Sequence, residues 1–508
     1  TPHSALSPPT LHAPIQRSHL EIQRKGIWFF RQKNIFHNDV EGYKRSMKRV
    51  AIIGGGISGL SAAWELKKKK IPFILFEATD QCGGAIRTLH EAGCLIEAGP
   101  NSLSGPHPEL DRLINELDLA TEVCPADAHA SNRFIVRDGQ PIALPRSFAE
   151  FITTPLFSTP AKWRLLKEPF IRSQSAPGET LAAFTERRLG SEPLTYALNP
   201  FVSGIYAGDP DRLSAAAAFP TLIEMEREHG SLLRAMMHRS KKQRASGKPR
   251  SPRTIYTFKE GMQTLPNRLA EKIGSDAIKT HHPIEDIEAL SSGEWKIADE
   301  VFSDLLLTLP THAQSQLVTP FDLTFFDAIR YPAVTSLSLL YDRNQLTHPL
   351  NGFGMLIPAC ENRFILGVLF PSSIFPNRAP ENKILLTVFI GGDRDPDRAL
   401  LPRDQLLPHV EKDLQELLGL QGAPHHISTH RWVDAIPQYT AEIEPVHHQL
   451  TLLEATHLGL YFAGNYRDGI SITNAILSGR NAAERIIENQ STGKESGATP
   501  TLDEENNL

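Results

Sequence analysis

Arg49-Val50-Ala51-Ile52-Ile53-Gly54-Gly55-Gly56-Ile57-Ser58-Gly59-Leu60 is the stretch that decides the fold. Val50 to Ile53 is a short apolar run and predicts a buried parallel strand. Gly54-x-Gly56-x-x-Gly59 follows and opens directly into helix formers, Leu60 to Leu66. This spacing is the dinucleotide fingerprint: Gly54 for a tight turn, Gly56 for close approach of backbone amides to a pyrophosphate, Gly59 for close helix–strand packing. The helix N-terminus then offers free N–H groups and a favourable dipole to the phosphates. Ile71 to Phe76 predicts a second strand, and it ends in Glu77, at the distance where an acid takes the adenosine ribose hydroxyls.

Composition sets wide bounds. The 508 residues are 40% hydrophobic and 22% charged, which is ordinary for a globular chain and enough for two or three domains. A net charge of −5 gives no general nucleic-acid signal. Cys82, Cys94, Cys124 and Cys360 form no CxxC pair, which fits a reducing compartment. No Ser-His-Asp arrangement, nucleophilic Cys or metal-ligand cluster presents itself, so no metal is expected and no catalytic side chain is assigned. No 18-residue apolar run suggests a membrane span. Residues 1–46 hold seven Lys/Arg, three Asp/Glu, four His and four Pro without a sustained period, and predict an extension ahead of a folded chain starting near Met47. A cleaved basic targeting segment is the alternative.

Downstream, Gly83-Gly84-Ala85-Ile86-Arg87-Thr88 resembles the second signature of the large FAD-dependent amine oxidase and desaturase superfamily. The resemblance then narrows. Gly99-Pro100-Asn101-Ser102, Asn132-Arg133-Phe134, Ser203-Gly204-Ile205-Tyr206-Ala207-Gly208-Asp209-Pro210, Gly261-Met262-Gln263, Gly352-Phe353-Gly354-Met355-Leu356-Ile357-Pro358, Phe375-Pro376-Asn377-Arg378, Ile436-Pro437-Gln438-Tyr439 and Gly464-Asn465-Tyr466 look like the oxygen-dependent protoporphyrinogen oxidases. The match runs from about Met47 to about Ile487.

The fold class implied is α/β: a Rossmann-like FAD-binding domain of the GR2/p-hydroxybenzoate hydroxylase-like type, a mixed-sheet substrate domain and a helical membrane-facing domain. Residues 47–128, 259–312 and 455–490 are expected to form the first, 129–145, 241–258 and 313–454 the second, and 146–240 the third, with a disordered tail over 491–508. Helix 261–273, strands 336–341, 353–357, 364–370 and 384–390, and helix 401–420 are the expected elements between. In 146–240 an aromatic-rich stretch broken by Pro155, Pro160 and Pro169 reads as an amphipathic helical core, or, by the resemblance, as helices lying on a bilayer. The basic run His238, Arg239, Lys241, Lys242, Arg244, Lys248, Arg250 and Arg253 reads as a solvated loop or a contact with anionic lipid.

The resemblance implies FAD-dependent six-electron oxidation of a porphyrinogen to a porphyrin, with O2 reduced to hydrogen peroxide. The cofactor residues it implies are Gly54, Gly56, Gly59, Glu77, Gly84, Arg87, Ile284, Gly464, Ile470, Ser471 and Ile472. For substrate it implies Arg133 as the propionate anchor, Leu356, Leu369 and Phe389 around the macrocycle, Gly204 with its carbonyl near the substrate, and Asn101 near both flavin and substrate. The family often places a Gly-His soon after Gln438-Tyr439; here Thr440 to Val446 intervene before His447 and His448, and neither is given a role. Expected partners are the porphyrinogen, O2, a membrane surface touched peripherally, and a homodimer or ferrochelatase; the expected location is cytoplasmic, at the inner face of the cytoplasmic membrane. Coproporphyrinogen III oxidation is the nearest alternative and would want a second cation facing Arg133. A carotenoid desaturase or amine oxidase and a non-enzymatic flavin scaffold are the others.

Overall fold

The computed structural model describes residues 48–245 and 254–492, the side chains at 243–245 and 492 excepted. The extension 1–46, Met47, the basic residues Lys248, Arg250 and Arg253, and the tail beyond Thr492 lie outside the described residues, as does the side chain of Arg244.

The fingerprint strand, Val50–Ile53, sits at the centre of a five-stranded sheet. Phe73–Phe76 and then Ile278–Lys279 lie on one side, Asp304–Leu307 and then Leu460–Phe462 on the other, and every pairing is parallel. Parallel strands covered on both faces need continuous apolar runs. Val50, Ala51, Ile52, Leu305, Leu306 and Leu307 are all fully buried. Burying each of their larger side chains contributes about 1.5–3 kcal/mol. The fingerprint helix, Ile57–Lys68, is buried along most of its length because it lies between this sheet and the closing helix, Ile472–Thr492.

The second large sheet has seven strands, in the order His426–Trp432, Val334–Asp342, Lys383–Gly391, Gly367–Leu369, Gly352–Leu356, Asn132–Arg137, Gln140–Ala143. Only Gly352–Leu356 and Asn132–Arg137 run parallel, so the sheet is mixed. Its two faces differ. One carries Phe134, Val136, Leu337, Leu339, Met355, Val368, Leu386 and Val388, packed under Leu406, Val410, Leu414 and Leu417 of the helix Arg403–Leu418. The other is the face of the site described below.

Several expected elements differ in extent. The 261–273 helix begins at Thr264, since Gly261 takes φ +90° outside the helical region. The 364–370 strand is confined to Gly367–Leu369. Thr254–Phe258 pairs with Leu103–Gly105 and Val123–Pro125 in a separate three-stranded sheet. The strand His426–Trp432 and the helix Ile443–Thr456 were not anticipated.

Residues 146–245 are mainly helical, as expected, and a buried ionic knot ties their helices together. Arg188, 1% exposed, donates through Nε to Glu226 and through its two Nη atoms to the carbonyls of Ile171 (3.1 Å) and Gly230 (2.9 Å). Arg187 reaches Glu179 with two bonds, at 2.7 and 2.8 Å, and Glu226 at 2.7 Å. Fully buried Glu168 lies 3.4 Å from Arg188 and accepts from Ser231 and from the amides of Leu232 and Leu233 at the start of the helix Leu232–Ala245. Arg188→Ala leaves two buried carboxylates short of their cation and is expected to cost about 3–5 kcal/mol. Thermal denaturation of the variant beside the more exposed Arg187→Ala checks this, with the larger loss at Arg188.

Candidate active site

The glycine fingerprint is built as the sequence requires. Gly54 has φ +109°, and a Cβ there would meet Thr308 Oγ1 at 2.8 Å, the hydroxyl that donates to the Gly54 carbonyl. A Cβ on Gly59 would fall inside contact distance of that same carbonyl. Gly56 is different: nothing lies within 4 Å of where its Cβ would be. It caps the fingerprint helix without a side-chain hydrogen bond, and no acid stands in the first turn. The first-turn amides and the positive end of the dipole therefore face open space. Gly83 donates to the Gly55 carbonyl at 2.9 Å, and a Cβ on Gly84 would meet only the Gly56 Cα, at 3.4 Å. The two glycine signatures thus flank one cradle.

Glu77 stands at its edge. Its Oε2 accepts from the Gly55 amide at 2.8 Å, and its Oε1 from the Thr79 amide and hydroxyl at 2.9 and 2.7 Å. A carboxylate oxygen has two acceptor positions, so Oε2 keeps one for a sugar hydroxyl. Half-buried Ile284 follows a segment pinned to this strand end by the His282 amide on the Glu77 carbonyl (2.9 Å). Burial, then the Glu77 charge, pushes the Cys82 thiol up to about 11, so it packs as an apolar group beneath Gly55. The open helix end, the glycine cradle and the part-satisfied acid fit a dinucleotide.

The opposite end of the cradle comes from 464–472. Gly464 donates to Ser478 Oγ at 2.9 Å, and Gly469 donates to the Tyr439 hydroxyl at 2.8 Å, which itself donates to the Asn465 carbonyl at 2.7 Å. Ser471 Oγ accepts from the Asn474 amide at 3.1 Å and caps the closing helix, with Ile470 and Ile472 half-buried on either side. Sequence reasoning missed how that helix is held. Ser58 Oγ donates to the Ala475 carbonyl at 2.8 Å, and Gly479 has no room for a Cβ because the Ser58 backbone occupies the place. Ala475 and Gly479, small residues at i and i+4 on one helix face, were the available signal.

The large sheet supplies the second wall. Register places Arg133 opposite Gly354, Leu356 opposite Gly367, and Gly367 opposite Phe389, while Gly354 pairs Leu369 and Leu369 pairs Thr387. Paired residues share a face, as do i and i+2 along a strand. Arg133, Leu356, Leu369 and Phe389 therefore project from one face, opposite the packed core. The three apolar side chains are half-buried and Arg133 is exposed. Among the described residues Arg133 has no acidic partner; its guanidinium lies 5.4 Å from the Phe353 ring centre. Gly204, on the helix Asn199–Tyr206, lets that helix touch the Leu356 side chain, since a Cβ would overlap it. Asn101 donates to the Gly99 carbonyl at 3.1 Å and lines a cavity with Phe353, Glu97 and Arg378.

Both ends of this face are covered. The hairpin Thr88–Glu91 and Cys94–Glu97 packs Cys94 and Ile96 onto Leu340 and Leu385, which brings Arg87, half-buried at its base, to the sheet. At the other end Ile135 packs with Leu156 and Phe157. Leu369, Phe389 and Arg133 lie between. The same face holds polar residues that sequence reasoning passed over: Ser336, Ser338, Thr387, Ser428 and His430. Burial, then the nearby Arg87 charge, holds the His430 imidazole below the ordinary histidine pKa. His447 is structural, its Nε2 meeting the Tyr466 carbonyl at 3.0 Å. Among the described residues no group of His, Cys, Asp and Glu could hold a metal ion.

Gly56→Ala separates cradle from fold. With space around it and an extended backbone at φ −67°, the substitution should change the melting temperature of flavin-free protein little while sharply lowering the flavin retained on purification. Gly479→Val should lower both. Differential scanning fluorimetry with flavin absorbance distinguishes the two.

Comparison with known proteins agrees with this architecture. Residues 57–487 match the family described as flavin containing amine oxidoreductase. Protoporphyrinogen oxidase 2, chloroplastic/mitochondrial, from Arabidopsis thaliana is 32% identical over 480 residues, covering 87% of this chain and 94% of the relative. Protoporphyrinogen oxidase from Bos taurus is 29% identical over 481 residues, covering 87% and 98%. Among solved structures, a candidate protoporphyrinogen oxidase from Exiguobacterium sp. 255-15 superposes with a TM-score of 0.73 at 24% identity, covering 87% of this chain and 99% of that one. Cyclohexylamine oxidase from Brevibacterium oxydans superposes at 0.65 with 17% identity, covering 88% and 100%. At these identities the structural likeness is one of fold. The full-length sequence likeness goes further, and with it the chain belongs to the flavin-containing amine oxidoreductase family, in its protoporphyrinogen oxidase branch.

Proposed function

We propose that this protein is an FAD-dependent protoporphyrinogen oxidase, converting protoporphyrinogen IX to protoporphyrin IX in porphyrin biosynthesis. The observation that carries the reading is likeness to curated protoporphyrinogen oxidases along nearly their whole length, 94% of the Arabidopsis relative. The site supports it: a dinucleotide cradle opens beside a sheet face that carries Leu356, Leu369 and Phe389, with the Arg133 guanidinium at its edge and, among the described residues, no acid paired to it. In this reading 47–128, 259–312 and 455–490 hold the cofactor, 129–145, 241–258 and 313–454 hold the substrate, and 146–240 forms the helical part.

Bound FAD supplies the two-electron redox chemistry, and three rounds with O2 as acceptor, giving hydrogen peroxide, account for the six electrons removed. The chain's own residues bind and orient. Fingerprint amides and Glu77 would hold the pyrophosphate and ribose, with Arg87, Ile284 and the 464–472 loop around the rest of the cofactor. Leu356, Leu369 and Phe389 offer the macrocycle apolar surface and exclude water. Arg133 pairs with a propionate through a charge-assisted, bidentate hydrogen bond, and Phe353 holds it in place beneath.

Porphyrin fluorescence in air and under argon tests the activity. Oxidation should stop without oxygen, and Arg133→Ala should raise KM about tenfold or more while changing kcat less. Equal rates under argon would defeat the oxidase reading.

Peripheral membrane contact is part of the proposal. Among the described residues no helix is long and apolar enough to cross a membrane. Yet Phe148, Trp163, Phe170 and Met237 are each more than 60% exposed within the helical part, and Arg239, Lys241 and Lys242 follow on the same helix as Met237. Apolar side chains beside lysine and arginine suit the interface of an anionic bilayer. Flotation with anionic liposomes should carry the protein upward, and Trp163→Ser with Phe170→Ser should reduce that several-fold; flotation unchanged by both substitutions would place the contact elsewhere or nowhere.

A further inference from the structure

We infer that Arg146 is a second carboxylate anchor beside Arg133, so that two propionates on neighbouring pyrroles are held by two adjacent guanidiniums. The inference rests on the substrate reading above and deepens it.

The geometry starts at the turn Ala128–Ser131, which leads into the strand Asn132–Arg137. Asn132 opens the strand at φ −68° and ψ 144°, and Ser131, the last residue of the turn, stands two positions before Arg133. Arg133 belongs to the substrate face of this reading, since it pairs with Gly354 and shares its face with Leu356 and Leu369. The neighbouring strand Gln140–Ala143 then delivers Arg146. The Leu144 amide donates to the Arg133 carbonyl at 2.8 Å, so Leu144-Pro145-Arg146 leaves the hairpin alongside Arg133. Arg146 Nη1 donates to Ser131 Oγ, which ties its guanidinium to the residue two positions from Arg133 in the chain, across the same strand pair.

Neither cation is neutralised. Among the described residues no acid lies within ion-pair distance of Arg133 or Arg146. Glu150 is the carboxylate nearest in sequence to Arg146, but its Oε2 accepts from the Arg146 backbone amide at 2.8 Å, while the Glu150 amide donates to Ser147 Oγ at 3.2 Å. Glu150 thus serves the start of the helix Phe148–Thr153. Two unpaired guanidiniums held together repel one another, and a pair of carboxylates relieves that repulsion while accepting their hydrogen bonds. Two extended residues span about 6.5 Å, a separation that propionate arms on neighbouring pyrroles reach.

The placement also bears on selectivity. Arg146 stands beside Arg133, not across the macrocycle from it. Farther along the face come Leu356, Leu369 and Phe389, which suit vinyl groups. The two extra carboxylates of coproporphyrinogen III would meet that apolar surface, so the two-arginine edge favours the substrate with two propionates.

The test compares protoporphyrinogen IX with its dimethyl ester, which keeps the macrocycle and loses both charges. In wild-type protein, Arg146→Gln, Arg146→Lys and Arg133→Gln, porphyrin fluorescence gives KM and kcat for each compound. Arg146→Gln should raise KM for the diacid about 5- to 10-fold, change kcat little, and leave KM for the ester as it was. Arg146→Lys should fall between, and in Arg133→Gln with Arg146→Gln the two KM values should converge. A role confined to structure would move diacid and ester alike. A wild-type protein active on both compounds, with the diacid-to-ester ratio of KM unchanged in Arg146→Gln, overturns the inference alone. So does loss of liposome binding in Arg146→Gln with that ratio unchanged, which would make Arg146 a lipid headgroup contact next to exposed Phe148. A wild-type protein that oxidises neither compound overturns the substrate reading and the inference with it.

Discussion

The fingerprint helix is gripped by two backbones, and the rest of the molecule depends on that grip. On one side Gly59 lets the helix touch the Gly54 carbonyl; on the other Gly479 lets the closing helix touch Ser58. Any side chain at either glycine would overlap main-chain atoms, which cannot swing away as a flexible side chain can. The approach does more than fill space. It carries the 464–472 loop to the cradle, because that loop is the lead-in to the closing helix and is fastened to it through the Gly464–Ser478 bond. The cofactor site is thus closed by residues that begin and nearly end the described chain, and two glycines set its width.

What was legible in the sequence follows from how local each demand is. Gly54, Gly56 and Gly59 answer needs within one turn, and the buried strands around them are continuous apolar runs, so strand, turn and helix could be placed to within a few residues. Gly479 answers a need created by Ser58, more than four hundred positions away, and only a small residue one helical turn from Ala475 hinted at it. The strand His426–Trp432 was missed because it is an edge strand: its sequence, His-Ile-Ser-Thr-His-Arg-Trp, turns polar side chains outward and shows no clean alternation. The partners of Thr254–Phe258, Leu103–Gly105 and Val123–Pro125, were not legible because a strand carries no mark of its partner. At the site, Arg133 and Glu77 stood out in the sequence because their motifs call for a specific chemistry there. Arg146 did not, since a single arginine after Leu-Pro gives no sign that its head group returns to Ser131.

Polar groups inside the molecule divide by how fully they are satisfied. Arg188, Glu226 and Glu168 are buried but bonded on nearly every side, and they fix helices whose outer faces show Trp163, Phe170 and Met237 to solvent. A second such group links the two halves of the site. Arg378, 2% exposed, donates to Glu97 at 2.8 Å and to Thr257 at 2.8 Å, and Glu97 also accepts from Thr88 and the Met262 amide. Burial alone pushes the Glu97 carboxyl up and the Arg378 guanidinium down, and each partner's charge opposes the shift of the other. Removing one would strand the other in a low-dielectric interior. Arg133 and Arg146 sit at the other extreme, exposed and, among the described residues, without an acid in ion-pair distance, a state that water tolerates at a surface and a buried interior would not.

The orientation of the substrate face turns on a single extra residue. Gly352 pairs with Asn132, yet Gly354 pairs with Arg133, so Phe353 is a β-bulge with no partner of its own. Without the bulge, register beyond it would slip by one. Leu356 would no longer align with Ile135 and Gly367, and the alternation that sends Met355 to the core and Leu356 to the site would be inverted along that strand. The bulge also explains why Phe353 lies under the Arg133 guanidinium: a bulged residue and its neighbour face the same side as the residue opposite them. Phe353 in turn packs against the cluster of Ala130, Ile374 and Phe375, and Ala130 stands next to the serine that accepts from Arg146. One inserted phenylalanine therefore sets which side chains this strand turns to the candidate site, and glycines at 352 and 354 flank it where a Cβ would strike Phe134 on one side and Val368 and Leu369 on the other.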